Sequence, residues 1–252
     1  MQKYGQHFLI NQNVITQIVD AAQLLRAENL IEIGPGQGAL TQALILRGYK
    51  NFTAVEIDTQ MVDFLKKHLP EEANIKIICQ NFLDFDFSVF PSVPTEFISN
   101  LPYIDAAAIL DKVLAWPYFA TAVFMFQKEQ AQKITAKTGE KFYGPLSVLS
   151  QLRANISLVC NVGRGSFNPP PKVDSRVLAF RQKMLPTVSW KKLEHVVNGS
   201  FLHRRKTLVN ALMLTGYQKE NISAALEHLN IPFTVRPEQI TPHQYVQLTE
   251  QI

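Results

Sequence analysis

The sequence predicts an α/β protein, with a mostly parallel sheet covered by helices on both faces and a small helical domain after it. Three observations support this fold class. Short apolar runs alternate with helical patterns over the first two thirds of the chain. A glycine-rich turn joins an early apolar run to a helical pattern, and the patterns beyond Pro186 are only helical. Such alternation is typical of parallel strands, because the crossovers between them are usually helices.

The elements follow in order from apolar periodicity and turn residues. Asn13 is expected to cap a helix whose apolar face runs from Val14 to Ala22. Helical patterns also occupy residues 39–46 and the segment from Met61 to His68. Apolar runs predict strands at residues 30–33, 52–57, 75–79, 96–99, 121–126, 156–162 and 176–181.

The composition changes near residues 184–187, and helical patterns follow at 190–202, 205–214 and 222–229. We therefore predict one domain over residues 1–185 and a small helical domain over 186–252, packed on the first. A chain of 252 residues is long enough for one large α/β domain with such an appendage.

Bulk composition limits the class of protein. Hydrophobic residues make up 46% of the chain and charged residues 18%, so a sizeable core is expected. The net charge of +4 permits nucleic acid as a partner without requiring it. Cys79 and Cys160 lie in apolar runs and are interpreted as buried strand thiols, so neither a disulfide framework nor a metal site is expected. No signal peptide or membrane span is evident, which favours a soluble, cytoplasmic protein.

The glycine turn is the first candidate for a ligand site. Gly34, Gly36 and Gly38 follow a predicted strand and open a helix, where glycine lets the backbone turn tightly and approach a ligand. Glu56 ends the next strand about 20 residues later, where a carboxylate can accept both hydroxyls of a ribose. This arrangement serves NAD and S-adenosylmethionine alike. A tight turn beside a surface glutamate is the plainer alternative.

The segment Asn100-Leu101-Pro102-Tyr103 follows the fourth predicted strand, where open α/β sheets bind ligands. Methylating an exocyclic amine requires its lone pair to leave the ring. Two acceptors that hold the amine hydrogens would favour this change, and the Asn100 side-chain oxygen with a carbonyl of Leu101 or Pro102 can supply them. The Tyr103 ring could stack on the base. The alternative is an ordinary turn with a half-buried tyrosine.

At this point the sequence resembles the ribosomal RNA adenine N6,N6-dimethyltransferases, the bacterial small-subunit dimethyladenosine transferases. The resemblance extends over nearly the whole chain, and its motifs together in this order are highly specific. They are GQHFL at 5–9, EIGPG at 32–36, NLPY at 100–103, QKE at 127–129, YGPLSV at 143–148, FNPPPKVDS at 167–175 and FLHRRKT at 201–207.

The resemblance implies a seven-stranded, Rossmann-like class I methyltransferase sheet over residues 1–185 and a small RNA-binding helical domain over 186–252. It implies S-adenosylmethionine as cofactor and dimethylation of two adjacent adenines in the 3′-terminal hairpin loop of small-subunit (16S) rRNA. The expected partner is this rRNA within a pre-30S particle, and nothing in the sequence requires more than a monomer.

The same resemblance assigns roles to individual residues. The expected cofactor contacts are His7, Leu9, Gly34, Gly36, Glu56, Asn81 and Asn100. Asn100 would lie between the methyl donor and the target amine, beside Leu101. Tyr103 and Phe167 would sandwich the target base.

Asn81 is a departure from the family pattern. The family usually has an aspartate there, which bonds the amine of the cofactor's adenine. An asparagine oxygen can still accept that hydrogen bond, but it lacks the carboxylate charge. We expect Asn81 to make this contact with reduced affinity, or nearby Asp84 to substitute for it.

Arg204, Arg205 and Lys206 form the densest basic cluster, and Lys172 lies in the proline-rich loop. Basic side chains on one face bind phosphates in a salt-sensitive way. A solvated helix face is the plainer interpretation of so short a run. The resemblance favours contact with RNA.

Four other functions are weighed. A large-subunit rRNA adenine methyltransferase would use the same chemistry. DNA adenine methyltransferases commonly have an acidic residue in place of Asn100. A non-catalytic assembly factor would have little reason to retain Gly34, Glu56, Asn100 and Tyr103 together. The glycine spacing also disfavours a NAD-dependent oxidoreductase.

Overall fold

The computed structural model describes residues 7–25 and 27–252. The strands are β1 (Phe8–Leu9), β2 (Asn29–Ile33), β3 (Thr53–Glu56), β4 (Lys76–Cys79), β5 (Thr95–Asn100), β6 (Phe119–Gln127), β7 (Ala154–Val162), β8 (Phe167–Asn168) and β9 (Ser175–Gln182). The helices are α1 (Gln12–Leu25), α2 (Ala39–Leu46), α3 (Thr59–His68), α4 (Ala106–Ala115), α5 (Lys128–Thr135), α6 (Pro145–Arg153), α7 (Trp190–Leu202), α8 (Leu208–Met213), α9 (Lys219–His228) and α10 (Pro242–Gln251).

Seven strands form one sheet in the order β4-β3-β2-β5-β6-β9-β7. The pairs from β4 to β6 are parallel, and β9 pairs antiparallel with β6. This confirms the predicted mostly parallel seven-stranded sheet. The strand order reverses at β2, which lies between β3 and β5. Because β3, β2 and β5 are parallel, their carboxyl ends lie at the same edge of the sheet. Open α/β sheets bind ligands at this edge, where the strand order reverses.

Packing divides the chain into two compact units. The first comprises the chain up to Ala131 together with Ile156–Gln182, and the second comprises Gln132–Asn155 with Lys183–Ile252. Each unit has its own apolar core, one including Ile18, Leu44 and Val123 and the other including Val196 and Leu226. Residues 132–155 thus group with the C-terminal helices, a feature that the predicted division into 1–185 and 186–252 does not contain. The division into domains at residue 185 therefore stays a prediction.

Local details differ from the sequence expectations in three places. Asn11, not Asn13, caps α1, because its Oδ1 accepts hydrogen bonds from the N–H groups of Asn13 and Val14. Cys79 is exposed rather than buried, since it ends β4 at the edge of the sheet, and Cys160 is only half-buried. The helix expected at residues 205–214 begins only at Leu208, after a turn.

The helices α4, α5, α6 and α10 were not predicted from the sequence, and α10 is the clearest omission. Its signal was present, because Thr241 and Gln244 form a capping box and Pro242 occupies the first helical position. Across residues 7–25 and 27–252, no helix combines the length and apolar composition needed to cross a membrane.

Candidate active site

The glycine turn between β2 and α2 leaves one side of the backbone open. Gly34 and Gly36 have φ values of +61° and +55°, a left-handed conformation that favours glycine. A Cβ atom at Gly34 would meet nothing within 4 Å, whereas one at Gly36 would lie 3.2 Å from the Phe8 ring. Space for a ligand therefore lies beside Gly34, and Phe8 covers Gly36.

Glu56 is held by the same turn. Its Oε2 accepts the Gly36 N–H at 2.9 Å, and its Oε1 accepts the Asp58 N–H at 2.9 Å. Burial raises the pKa of the carboxyl group above its usual range, although these backbone hydrogen bonds oppose the change. Each carboxylate oxygen retains a second lone pair. The group is therefore oriented to accept the two hydroxyls of a ribose.

Glu32 is a second buried carboxyl group that the sequence analysis did not assign. Its Oε2 accepts the Thr41 hydroxyl at 2.7 Å, and its Oε1 has no hydrogen-bond partner in the described part of the chain. Burial, with a smaller contribution from the charge of Glu56, raises the pKa of Glu32 to about 8. The glutamate of the EIGPG motif is thus neutral at pH 7.

Substituting Glu32 by glutamine is expected to flatten the pH dependence of stability. The pKa of Glu32 is about 8 in the folded protein, whereas the ordinary pKa of a glutamate is 4.5. The free energy of unfolding of the wild type therefore falls as pH rises between these values, by at most about 1.4 kcal/mol per pH unit from this group. Glutamine retains an acceptor for Thr41 and has no charge to bury.

Urea unfolding at several pH values between 5 and 8 measures this slope. Glu56 contributes a slope of the same sign, so the Glu32→Gln variant should keep part of it. Identical slopes in wild type and variant would show that Glu32 does not hold its proton in the folded protein.

Asn100 ends β5 with its side-chain amide already oriented. The Asn100 Nδ2 donates to the His7 carbonyl at 3.1 Å, which leaves Oδ1 as the acceptor for another group. The Pro102 carbonyl accepts the Asp105 N–H at 3.2 Å. This bond uses one of the two lone pairs of the Pro102 carbonyl, so we take the Leu101 carbonyl as the better candidate for the second acceptor.

Tyr103 is fixed beside Asn100 by its hydroxyl group. The Tyr103 hydroxyl lies 2.8 Å from the Ser175 Oγ, and its ring centroid lies 6.0 Å from that of His7 at an interplanar angle of 31°. Burial raises the pKa of the phenol, so it stays neutral at physiological pH. The ring is half-buried and has a defined orientation.

The N-terminal segment and the proline-rich loop pair with each other. Leu9 in β1 is opposite Phe167 in β8, and the His7 Nδ1 lies 2.8 Å from the Pro169 carbonyl. Phe167 is only 3% exposed and belongs to the same apolar core as Leu9. Pairing of β8 with β1 brings Phe167 close to the site, but its ring is buried and is not accessible to a base. Gly5 and Gln6 of the first motif lie outside the described residues.

Asn81 follows β4 and caps a short 3-10 turn. Its Oδ1 accepts the Leu83 N–H at 3.0 Å, so the oxygen already has one partner. The Asp84 side chain is exposed, and the Asp84 carbonyl accepts a hydrogen bond from Gln80. Asn81 is half-buried and remains the better candidate of the two for a contact with a bound adenine.

The predicted RNA-binding residues have different environments. In the second unit, the Arg204 guanidinium donates to the Lys141 carbonyl at 3.0 Å and lies 3.8 Å from a carboxylate oxygen of Glu238. Arg205 and Lys206 are exposed in the turn after α7. In the first unit, Lys172 is exposed in the proline-rich loop. Arg204 therefore bonds within its own unit, and the other three side chains are accessible.

The strand order, the antiparallel β9 and a ligand turn where the order reverses together define a class I methyltransferase. The family model described as ribosomal RNA adenine dimethylase matches residues 1–252, and the chain belongs to this family. It is therefore an S-adenosylmethionine-dependent rRNA adenine dimethyltransferase. The open side of Gly34 and the oriented Glu56 carboxylate fit the cofactor.

Three relatives show the extent of the similarity. Ribosomal RNA small subunit methyltransferase A of Malacoplasma penetrans is 38% identical, over 98% of this chain and 90% of the relative. A dimethyladenosine transferase structure from Plasmodium falciparum has a TM-score of 0.81 and 26% identity, with 96% of each chain covered. The structure of the 23S rRNA methyltransferase ErmE has a TM-score of 0.75 and 29% identity, covering 97% of this chain and 98% of that one.

Proposed function

We propose that this enzyme methylates N6 of two adjacent adenines in the 3′-terminal hairpin loop of small-subunit rRNA, giving N6,N6-dimethyladenosine. The observation that carries the chemistry is the orientation of Asn100, whose Nδ2 is bonded to His7 and whose Oδ1 is left to accept. The choice of small-subunit rRNA is supported by relatives of that name, 33% to 38% identical over nearly the whole chain.

The residues present suit this reaction. The Asn100 Oδ1 and the Leu101 carbonyl accept the two hydrogens of the adenine amine, so its lone pair is drawn out of the ring and developing positive charge is stabilised. Tyr103 stacks on the base. Bound S-adenosylmethionine supplies an electrophilic methyl group. The scheme needs no charged base, since the proton leaves the nitrogen after transfer.

The cofactor contacts divide by element. Glu56 accepts the ribose hydroxyls, and Gly34 gives the cofactor room beside the turn. His7 lines the site from the N-terminal segment, and Asn81 meets the adenine. The Leu9 side chain is buried in the core with Phe167, so a contact from Leu9 to the cofactor would come from its backbone. Gly36 contributes by donating its N–H to the Glu56 carboxylate, which orients that group. A base sandwiched between Tyr103 and Phe167 requires Phe167 to be uncovered when RNA binds.

Changing Asn81 to aspartate is expected to tighten cofactor binding by about fivefold to tenfold. The asparagine Oδ1 already accepts the Leu83 N–H, so it has one lone pair left for an adenine amine, and its Nδ2 cannot accept. A carboxylate keeps the cap and adds an acceptor there. Calorimetry with S-adenosylmethionine measures the change, and Asn198→Asp, on an exposed helix position, controls for the added charge. Unchanged or weaker binding would remove Asn81 from the adenine contact.

Arg205 and Lys206 are expected to bind RNA phosphates, whereas Arg204 is expected to stabilise its unit. Alanine at Arg205 or Lys206 should lower RNA affinity and reduce the slope of log affinity against log salt by about one each. Alanine at Arg204 should instead lower the free energy of unfolding. Filter binding over a salt series, with urea unfolding in parallel, separates these effects. A slope that falls only in the Arg204 variant would reverse the assignment.

The function is tested by methyl transfer from labelled cofactor to small subunits that lack the modification, followed by nucleoside analysis. Free small-subunit rRNA, large subunits and the assembled particle serve as parallel substrates. We expect dimethyladenosine at adjacent loop adenines of the small subunit. In the cell, the expected substrate is a cytoplasmic pre-30S particle, and the enzyme is expected to be a monomer. Incorporation only into large subunits would favour the activity named for the ErmE structure. Particle binding without incorporation would favour a non-catalytic assembly factor.

A further inference from the structure

Lys112 in α4 extends to the loop that follows Asn81. Its Nζ donates to the Leu83 carbonyl and to the Phe85 carbonyl, each at 2.6 Å. The two acceptors are two residues apart, with Leu83 in a 3-10 turn and Phe85 directly after it, and both bond to one ammonium group. A single side chain from another element therefore fixes the backbone of this loop.

The surroundings of the Lys112 ammonium favour its contact with the Leu83 and Phe85 carbonyls. The ammonium lies 5.8 Å from the Phe82 ring centroid and 5.4 Å from that of Phe87. Partial burial lowers the pKa of Lys112, while the charges of Asp84 and Asp86 oppose that change. Hydrogen bonds from a charged donor in a partly apolar environment are stronger than those in water.

Leu83 connects this ammonium to Asn81. The Leu83 N–H donates to the Asn81 Oδ1 at 3.0 Å, and the carbonyl of the same residue accepts from Lys112. Both backbone polar groups of Leu83 are thus used, one on each side of its Cα atom. Any rotation of this residue would change the direction of the Asn81 side chain.

We propose that Lys112 is a positioning residue for the cofactor site, which fixes the loop so that Asn81 faces the adenine of S-adenosylmethionine. The inference rests on the proposed role of Asn81. Lys112 acts through the backbone of Leu83. It therefore governs how tightly the cofactor binds and leaves the methyl transfer itself to Asn100 and its neighbours.

The test compares three substitutions at Lys112. Methionine keeps the length and apolar stem but donates nothing, glutamine can donate to one carbonyl at a time, and arginine restores a charged donor. Calorimetry with S-adenosylmethionine alone should show binding weakened about tenfold by Lys112→Met, less by Lys112→Gln and least by Lys112→Arg. The KM for the cofactor should rise in the same order with kcat within about twofold of wild type.

A double-mutant cycle separates positioning from a general effect on stability. In an Asn81→Ala background, Lys112→Met should change cofactor affinity by less than about threefold, because the group it positions is gone. The same tenfold loss in both backgrounds would overturn the proposal. So would a lowered melting temperature with an unchanged KM. Lys66→Met, at an exposed position of α3, is the matched control.

Two further outcomes are decisive. If Lys112→Met does not fold, the glutamine variant still tests the proposal, and wild-type cofactor affinity in that variant would overturn it. Binding is measured without RNA, so a wild-type enzyme that binds cofactor but leaves small subunits unmodified would contradict the proposed function alone. The ranking of cofactor affinity among the Lys112 variants would be tested independently of that result.

Discussion

Replacing Asn100 by alanine is expected to reduce methyl transfer by about a thousandfold while leaving RNA binding within about twofold of wild type. The variant loses the acceptor that holds the target amine, and the amine lone pair then stays in the ring. It also loses the Nδ2 bond to the His7 carbonyl, which orients the amide in the wild type. Single-turnover rates with small subunits, at saturating cofactor, measure the effect on the chemical step.

Two comparisons make the Asn100 result specific. Asn100→Asp keeps an oxygen toward the amine but places the other opposite the His7 carbonyl, so it should retain more activity than alanine and less than wild type. Asn221→Ala, at an exposed position of α9, should leave the rate unchanged. Near-normal turnover in the Asn100→Ala variant would contradict the role assigned to this side chain.

Replacing Glu56 by glutamine is expected to weaken cofactor binding by about a hundredfold. The carboxylate oxygens accept the N–H groups of Gly36 and Asp58, and each has a lone pair left for a ribose hydroxyl. An amide of the same shape presents an NH2 group to one of these N–H donors and loses one acceptor for the ribose. The fall in affinity combines both losses.

Equilibrium binding of S-adenosylmethionine measures the Glu56 effect, and melting temperatures of both proteins show whether the turn itself is damaged. Glu72→Gln removes the same charge at an exposed position and should bind the cofactor as wild type does. A Glu56→Gln variant with unchanged affinity would mean that the ribose is held elsewhere. Weaker binding as pH falls would fit the raised pKa of Glu56, since protonation removes the acceptor.

Local signals were enough to bring the candidate site residues to one edge of the sheet, because these residues lie at or directly after strand ends. Gly34, Glu56 and Asn100 end or follow β2, β3 and β5, and parallel strands bring their carboxyl ends to one edge. Each apolar run that predicted a strand overlaps an observed one. The resemblance implied a seven-stranded sheet, but the order of its strands was not predicted, since apolar runs carry no information on which strands are neighbours.

Contacts between distant segments could not be predicted. Phe167 looks like an accessible aromatic beside prolines, but pairing of β8 with β1 buries its ring. The sequence suggests that Arg204 contacts phosphates, but its guanidinium donates to the Lys141 carbonyl. Lys112 has no sequence signal, because its partners are backbone carbonyls of a loop far away in the chain.

The interleaving of the two compact units sets the order in which their cores can close. The first unit lacks β9, the antiparallel partner of β6, until Gln182 has been synthesised. The segment Gln132–Asn155 precedes β9 in the chain, yet its apolar partners lie in α7 to α10, which are synthesised after β9. This segment therefore cannot bury its apolar side chains until those helices have been made, and such long-range pairing slows folding relative to a helical protein of this size.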